Sequence, residues 1–106
     1  MNFQLLKENI AGVDIYIIDQ ILKERFQSTD KILDVGCGNG RNLKWFYNAG
    51  FEIHGTEINY DRIAYCKSIY PLQQQNFIVA KAQHMPYTSE SFNHIICMLF
   101  YILLKI

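Results

Sequence analysis

The chain has 106 residues, half of them hydrophobic, with ten basic and ten acidic residues and a formal net charge of zero. That length holds one small domain at most, and that apolar content belongs to a core-forming chain rather than a disordered one. A neutral chain lacks the field that gathers nucleic acid or an anionic membrane surface, so neither is an expected partner. The three cysteines, Cys37, Cys66 and Cys97, are odd in number, widely spaced and without a CxxC. That argues against a zinc site and against a disulfide framework, and reduced thiols in a cytoplasm are the expectation. Met1-Asn2-Phe3-Gln4 lacks the basic and apolar regions of a signal peptide, and the longest apolar run, residues 95–104, is too short to span a bilayer.

Along the chain, residues 14–26 place Ile17, Ile18, Ile21, Leu22 and Phe26 on one helical face, within an N-terminal helical region of about 10–27. Gln27-Ser28-Thr29-Asp30 is a polar break, and residues 31–35 read as a buried strand. Residues 42–48 form the next helical pattern, with Gly50 as its terminator. A second strand covers 52–56 and ends at Glu57; a helix follows over 60–69, stopped by Pro71. A third strand is expected over 76–80, a turn-rich loop over 84–91 around Pro86, and a fourth strand over 92–99. Strands alternating with helices give a parallel sheet covered on its faces, joined by right-handed crossovers, with ligands at the carboxyl ends of the strands.

The most informative segment is Ile32-Leu33-Asp34-Val35-Gly36-Cys37-Gly38-Asn39-Gly40-Arg41: an apolar run, an acid, three alternating glycines and a helix start. Glycine suits a backbone that must turn sharply and approach a ligand closely. No Gly-Lys-Ser/Thr follows, which excludes a Walker A loop, and the third glycine comes one residue too early for the dinucleotide fingerprint. Asp34 would also serve an anionic pyrophosphate poorly. An acid beside the loop instead suits a cationic ligand, while the amides of the following helix start suit a carboxylate. A purely structural glycine turn is the competing explanation. Glu57, about 20 residues past the loop at the next strand end, is placed to accept from ribose hydroxyls, or else is a solvated strand-end carboxylate.

The glycine segment resembles the first motif of class I S-adenosylmethionine-dependent methyltransferases, and Gly38-Asn39-Gly40-Arg41-Asn42 is especially like their small, tellurite-resistance-type members. Phe77-Ile78-Val79-Ala80-Lys81-Ala82-Gln83-His84-Met85-Pro86-Tyr87, followed by Ser91-Phe92-Asn93 and an apolar strand, is similar to a later stretch of the same family. It departs from that pattern at Ala80, Lys81 and Asn93, and a lysine cannot accept a hydrogen bond from adenine. The resemblance covers about residues 10–98, the N-terminal half of such an enzyme. It implies an α/β fold, a Rossmann-like doubly wound parallel sheet truncated after strand 4, with strand order 3-2-1-4. It implies S-adenosylmethionine as cofactor and methyl transfer to an unknown acceptor as function. The cofactor residues it implies are Asp34, Gly36, Cys37, Gly38, Gly40 and Arg41 at the methionine end, Glu57 at the ribose, Ile58 on one adenine face, and Ala82 and Gln83 at the adenine edge. No catalytic base and no metal ligand is expected; His54, His84 and His94 read as structural.

One domain, 1–106, is expected: the N-terminal helix, a cofactor-binding half over about 30–98 and an atypical tail over 98–106. Ending there would leave strand 4 as an open apolar edge, a route to self-association. One back-translation of the tail, read two bases later, gives Ala-Val-Leu-His-Phe-Ala-Lys-Asn, close to what this family carries there; a frameshift is the expectation, which sequencing of the gene tests. Two alternatives stand beside an active methyltransferase: an inactive cofactor-binding fragment and a nicotinamide-dinucleotide-binding domain.

Overall fold

A computed structural model describes residues 2–82 and 91–97, and the backbone of Ile102–Lys105. Two short helices open the chain, α1 (Phe3–Ile10) and α2 (Ile15–Leu22). Each starts on a side-chain cap: Asn2 Oδ1 accepts from the Gln4 amide, and Asp14 Oδ1 from the Tyr16 amide. The single helical region expected over 10–27 is therefore corrected in two ways. A break at residues 11–14 divides it, and α2 stops at Leu22 because Glu24 takes a left-handed backbone (φ 56°). Phe26 leaves the helix and packs edge-on against Phe46 and His94.

The strands are β1 (Lys31–Val35), β2 (Glu52–Glu57), β3 (Phe77–Val79), β4 (His94–Cys97) and β5 (Ile102–Lys105). A 3-10 turn (Arg41–Leu43) leads into α3 (Lys44–Asn48) between β1 and β2, and α4 (Tyr60–Ile69) lies between β2 and β3. β1 to β4 are parallel in the order 3-2-1-4, as expected of a Rossmann-like sheet. Asp34 lies level with Gly55, and Val35 with Thr56. The carboxyl tips of β1 and β2 thus stand side by side.

β4 is not an open edge. β5 pairs antiparallel along its whole length, from His94 opposite Lys105 to Cys97 opposite Ile102. The tail residues saturate the backbone groups that the sequence reading left exposed, so self-association through that edge has no free ladder to use.

The core lies on one sheet face: Ile17, Ile32, Leu43, Phe46, Ile53, Ile63, Cys66, Phe77 and Ile96 are buried together. Phe46 makes edge-on contacts with Phe26, Trp45 and Phe51. Trp45 and Tyr47 of α3 are partly buried and pack against the same core. A smaller cluster, Leu33, Val35 and Phe92, covers the other face.

At the amino end of the sheet, buried His94 meets Asp30 Oδ2 at 2.8 Å, and the same oxygen accepts from the Gln27 amide at 2.9 Å. A carboxylate only accepts, so His94 Nε2 carries the proton. This clasp ties β4 to the loop entering β1. Asp30→Ala leaves the imidazole buried without its acceptor and should cost about 2 kcal/mol; Asp30→Asn should cost less. Urea unfolding midpoints check this, and an unchanged midpoint in Asp30→Ala would refute the clasp.

Candidate functional site

The glycine loop runs from the tip of β1 to the 3-10 turn. Gly36, Gly38 and Gly40 all take positive φ, at 69°, 57° and 77°. The last two differ in surroundings. A Cβ on Gly40 would lie 2.9 Å from the Tyr70 ring and 3.0 Å from Cys66 Sγ, both buried. A Cβ on Gly38 would meet nothing within 4 Å. Gly40 is thus required by packing, whereas Gly38 faces open space that a side chain would fill and a ligand can use. Gly40→Ala should destabilise by about 3 kcal/mol through strain and overpacking. Gly38→Ala should cost about 1 kcal/mol, yet close the space above the loop. Thermal melts beside ligand titrations separate the two; equal melting shifts would contradict the distinction.

The loop is braced from below and from the side. Tyr70 donates its hydroxyl to Gly40 O at 2.6 Å, Cys66 Sγ points at Gly38 O at 3.4 Å, and the Cys37 amide donates to Thr56 O at 2.9 Å. The Gly38 amide donates to Glu57 Oε1 at 3.2 Å, and the Asn59 amide donates to Glu57 Oε2 at 3.0 Å. Glu57 therefore holds the loop of β1 from the tip of β2. Its two oxygens keep lone pairs for further donors. The Gly40 amide is also taken, by Cys37 O at 2.9 Å.

Asp34 is the electrostatic centre. Its side chain is buried, at 2% exposure, and no hydrogen bond reaches its carboxyl among the described residues. Burial pushes its pKa from 3.8 to about 8; the Arg41 guanidinium opposes this and the Glu57 carboxylate adds to it. A buried acid held neutral by desolvation, with an arginine and a second acid close by, is a candidate partner for a cation or a donor.

Arg41 is exposed and donates from Nη1 to Gly12 O at 2.6 Å, strapping the loop to the α1–α2 break. Four more N–H groups remain on that guanidinium. Asn42 Oδ1 completes the strap by accepting from the Asp14 amide at 2.7 Å. A cavity of about 430 Å³ opens beside the loop, lined by Asn39, Arg41, Lys44, Tyr47, Tyr65 and Tyr70 among others.

Most of the sequence-derived set therefore converges on one place. Asp34, the three glycines, Arg41 and Glu57 meet at the tips of β1 and β2. Ile58, 66% exposed at the tip of β2, presents an apolar surface to solvent there. Cys37 is different: its thiol is buried against Cys66 at 4.0 Å, so what it offers a ligand is backbone. Ala82 is exposed in a turn after β3. Gln83, His84, Met85, Pro86 and Tyr87 lie outside the described residues. His54 donates to or accepts from its strand neighbour Glu52 at 2.8 Å, far from the loop end of β2. Sequence reasoning missed Thr56, Cys66 and Tyr70 as supports of the loop. Ile63, Cys66 and Tyr70 share one face of α4 by their three- and four-residue spacing, but that spacing does not say which loop the face holds.

Among the described residues no cluster of three metal-binding side chains occurs and no helix is long and apolar enough to cross a membrane.

A parallel sheet of order 3-2-1-4, with an acid and a glycine loop at one carboxyl tip and a second acid at the next, defines a Rossmann-like α/β domain. The family model for the methyltransferase domain matches residues 32–105, and the chain belongs to that family. Membership implies S-adenosylmethionine as the cofactor. No curated protein matches the chain in sequence. Among solved structures it is similar to a TehB-like SAM-dependent methyltransferase from Corynebacterium glutamicum, at 26% identity and a TM-score of 0.64, over 89% of this chain and 50% of that one. A SAM-dependent methyltransferase from Methanosarcina mazei matches at 26% identity and a TM-score of 0.60, over 71% of this chain and 39% of that one. The YcgJ protein of Bacillus subtilis shares the fold at 20% identity and a TM-score of 0.64, over 79% and 38%. The chain thus spans half or less of the length of each of these structures.

Proposed function

We propose that the tips of β1 and β2 bind S-adenosylmethionine and that the domain serves methyl transfer from it. The observation that carries this reading is the buried Asp34 carboxyl, without a hydrogen-bond partner among the described residues, at the tip of β1 from which the glycine loop leaves, where Gly38 has open space over it. The cofactor has no phosphate. It brings a sulfonium, an ammonium, a carboxylate, a ribose diol and an adenine, and the residues present fit each of them. Asp34 takes the cationic end, lowering the cost of its own ionisation as it does so. Gly36, Gly38, Gly40 and the backbone of Cys37 let the methionine part lie close on the loop. Arg41 faces the carboxylate with the donors that Gly12 leaves over. Glu57 accepts from the ribose hydroxyls with its remaining lone pairs, Ile58 covers one face of the adenine, and Ala82 and Gln83 serve its edge.

The cofactor supplies a methyl group on a positively charged sulfur, transferred by in-line displacement. The protein's part is alignment and a water-poor surface around a bond that loses charge as it forms. No side chain is assigned covalent or acid–base work. Residues 30–98 form the cofactor half of the domain in this reading, and a reducing cytoplasm suits its three free thiols.

The chain covers half or less of the structures it matches, and the alternative to an enzyme is a module that holds the cofactor without turning it over. Calorimetric titration with S-adenosylhomocysteine tests the shared claim. Saturable one-to-one binding, with none for NADH under the same conditions, is the expected result; binding of NADH alone would replace the cofactor assignment. Release of S-adenosylhomocysteine from S-adenosylmethionine in the presence of methyl acceptors separates the enzyme from the module.

A further inference from the structure

Two thiols lie directly beneath the glycine loop. Cys37 Sγ and Cys66 Sγ are 4.0 Å apart, and both point at the same carbonyl, Gly38 O, at 3.8 and 3.4 Å. Cys66 belongs to α4, fixed in the core with Ile63 at its flank. Cys37 belongs to the loop, between two glycines of positive φ. A disulfide needs the sulfurs to approach to about 2 Å. The helix resists that movement, whereas the loop pivots at Gly36 and Gly38, so the displacement falls on Cys37. The bond most exposed to it is the longest of the amide hydrogen bonds in the bracing, Gly38 N–H to Glu57 Oε1 at 3.2 Å.

We propose that Cys37 and Cys66 form a reversible intrachain disulfide on exposure to peroxide, and that its formation draws the glycine loop toward α4 and weakens ligand binding above it. The last part rests on the reading of this loop as the S-adenosylmethionine site; the disulfide does not. Thiol oxidation by peroxide follows a balanced course. The Cys66 thiolate attacks one peroxide oxygen and the O–O bond breaks. The departing hydroxide takes up the proton that the thiol gave up and leaves as water, and Cys66 becomes a sulfenic acid. The Cys37 sulfur then attacks the Cys66 sulfur and the S–O bond breaks. The hydroxide released takes the Cys37 proton and leaves as a second water. Two thiols and one peroxide give one disulfide and two waters. The hydrogen bond between the thiols favours this order, since Cys37 as donor lowers the pKa of Cys66 while its own is raised. Cys97 on β4 is a third free thiol outside the pair and serves as an internal control.

The test treats the full chain, and separately its Cys97→Ser variant, with hydrogen peroxide, followed by non-reducing peptide mapping. A Cys37–Cys66 cross-linked peptide, lighter by two hydrogens and restored by dithiothreitol, is expected in both. Sulfinic acid at Cys37 or Cys66 without the cross-link, or both thiols still open to alkylation after denaturation, overturns the proposal. Amide chemical shifts of Gly36 and Gly38 read the loop without any ligand: they should move on oxidation, and unmoved resonances overturn the coupling. S-adenosylhomocysteine should bind the oxidised chain at least tenfold more weakly than the reduced one. Equal affinities overturn that part, while failure of the reduced chain to bind removes the cofactor assignment and leaves the cross-link result standing.

Discussion

Below about pH 8 the affinity of the chain for S-adenosylhomocysteine should rise by up to about tenfold per pH unit, then level off, and Asp34→Asn should abolish the rise. The reason is the state of Asp34 before the ligand arrives. Burial holds its carboxyl neutral up to about pH 8, against an ordinary value of 3.8, with Arg41 opposing the shift and Glu57 adding to it. An ammonium brought next to it favours the carboxylate, so binding releases a proton at neutral pH. Calorimetry in two buffers of different ionisation enthalpy measures that proton directly. The asparagine variant should release none and bind weakly at every pH; its profile also subtracts any ionisation of the ligand itself. A flat profile in the unaltered chain would show that Asp34 does not meet a cation.

The same residue sets a stability trend of opposite usefulness. Between about pH 3.8 and pH 8 the unfolded chain has released this proton and the folded chain retains it. The unfolded state then binds fewer protons, so stability falls as pH rises through that window, by at most about 1.4 kcal/mol per unit. Asp34→Asn should remove this contribution and melt higher than the unaltered chain at pH values near and above 8. A substitution that strengthens the fold and weakens the site is what a strained functional group gives.

The second large effect is expected at Glu57. Its carboxylate braces the loop through the Gly38 amide, caps the start of the next segment through the Asn59 amide, and in the proposed complex also accepts from the ribose. Glu57→Ala should lower affinity by about a hundredfold or more, since each hydrogen bond to a charged group contributes about 1.5–3 kcal/mol. Stability should fall by only about 1–2 kcal/mol, because water can reach both orphaned amides at this half-buried position. Glu57→Gln keeps one acceptor oxygen and should fall between. Glu52→Ala, at the opposite end of the same strand, should leave affinity unchanged. Binding isotherms for the three variants decide it; parity between Glu57→Ala and Glu52→Ala would remove Glu57 from the site.

The parts of the fold that were legible in the sequence are those governed by local patterns. Residues 31–35 form a strand with every residue after Lys31 buried, and an uninterrupted apolar run with one acid is how such a strand reads. Tyr60–Ile69 is bounded by an Asn cap and a proline, both local signals. The site set was legible for the same reason: Asp34, the glycines and Glu57 occupy strand ends, and a parallel sheet gathers strand ends at one rim.

What was missed depended on distance. α1 lies almost wholly before the region read as helical, and it buries none of its residues while showing Phe3 and Leu5 to solvent. The His94–Asp30 clasp joins residues 64 positions apart, and nothing local in either marks the other. The closing of the β4 edge by β5 is likewise a long-range pairing; the tail alone reads only as an apolar run. The Cys37–Cys66 contact needs a loop and a helix to be brought together by the crossover between β2 and β3. Spacing alone gave three scattered thiols.

Backbone amide mapping by NMR during titration with S-adenosylhomocysteine addresses the central claim most directly. The largest shifts are expected at Gly36, Gly38, Gly40 and Ile58, together with the amide of Asn59 as Glu57 re-forms its contacts. Shifts confined to the apolar groove between α1, α2 and Trp45, with the glycine-loop amides unmoved, would contradict it.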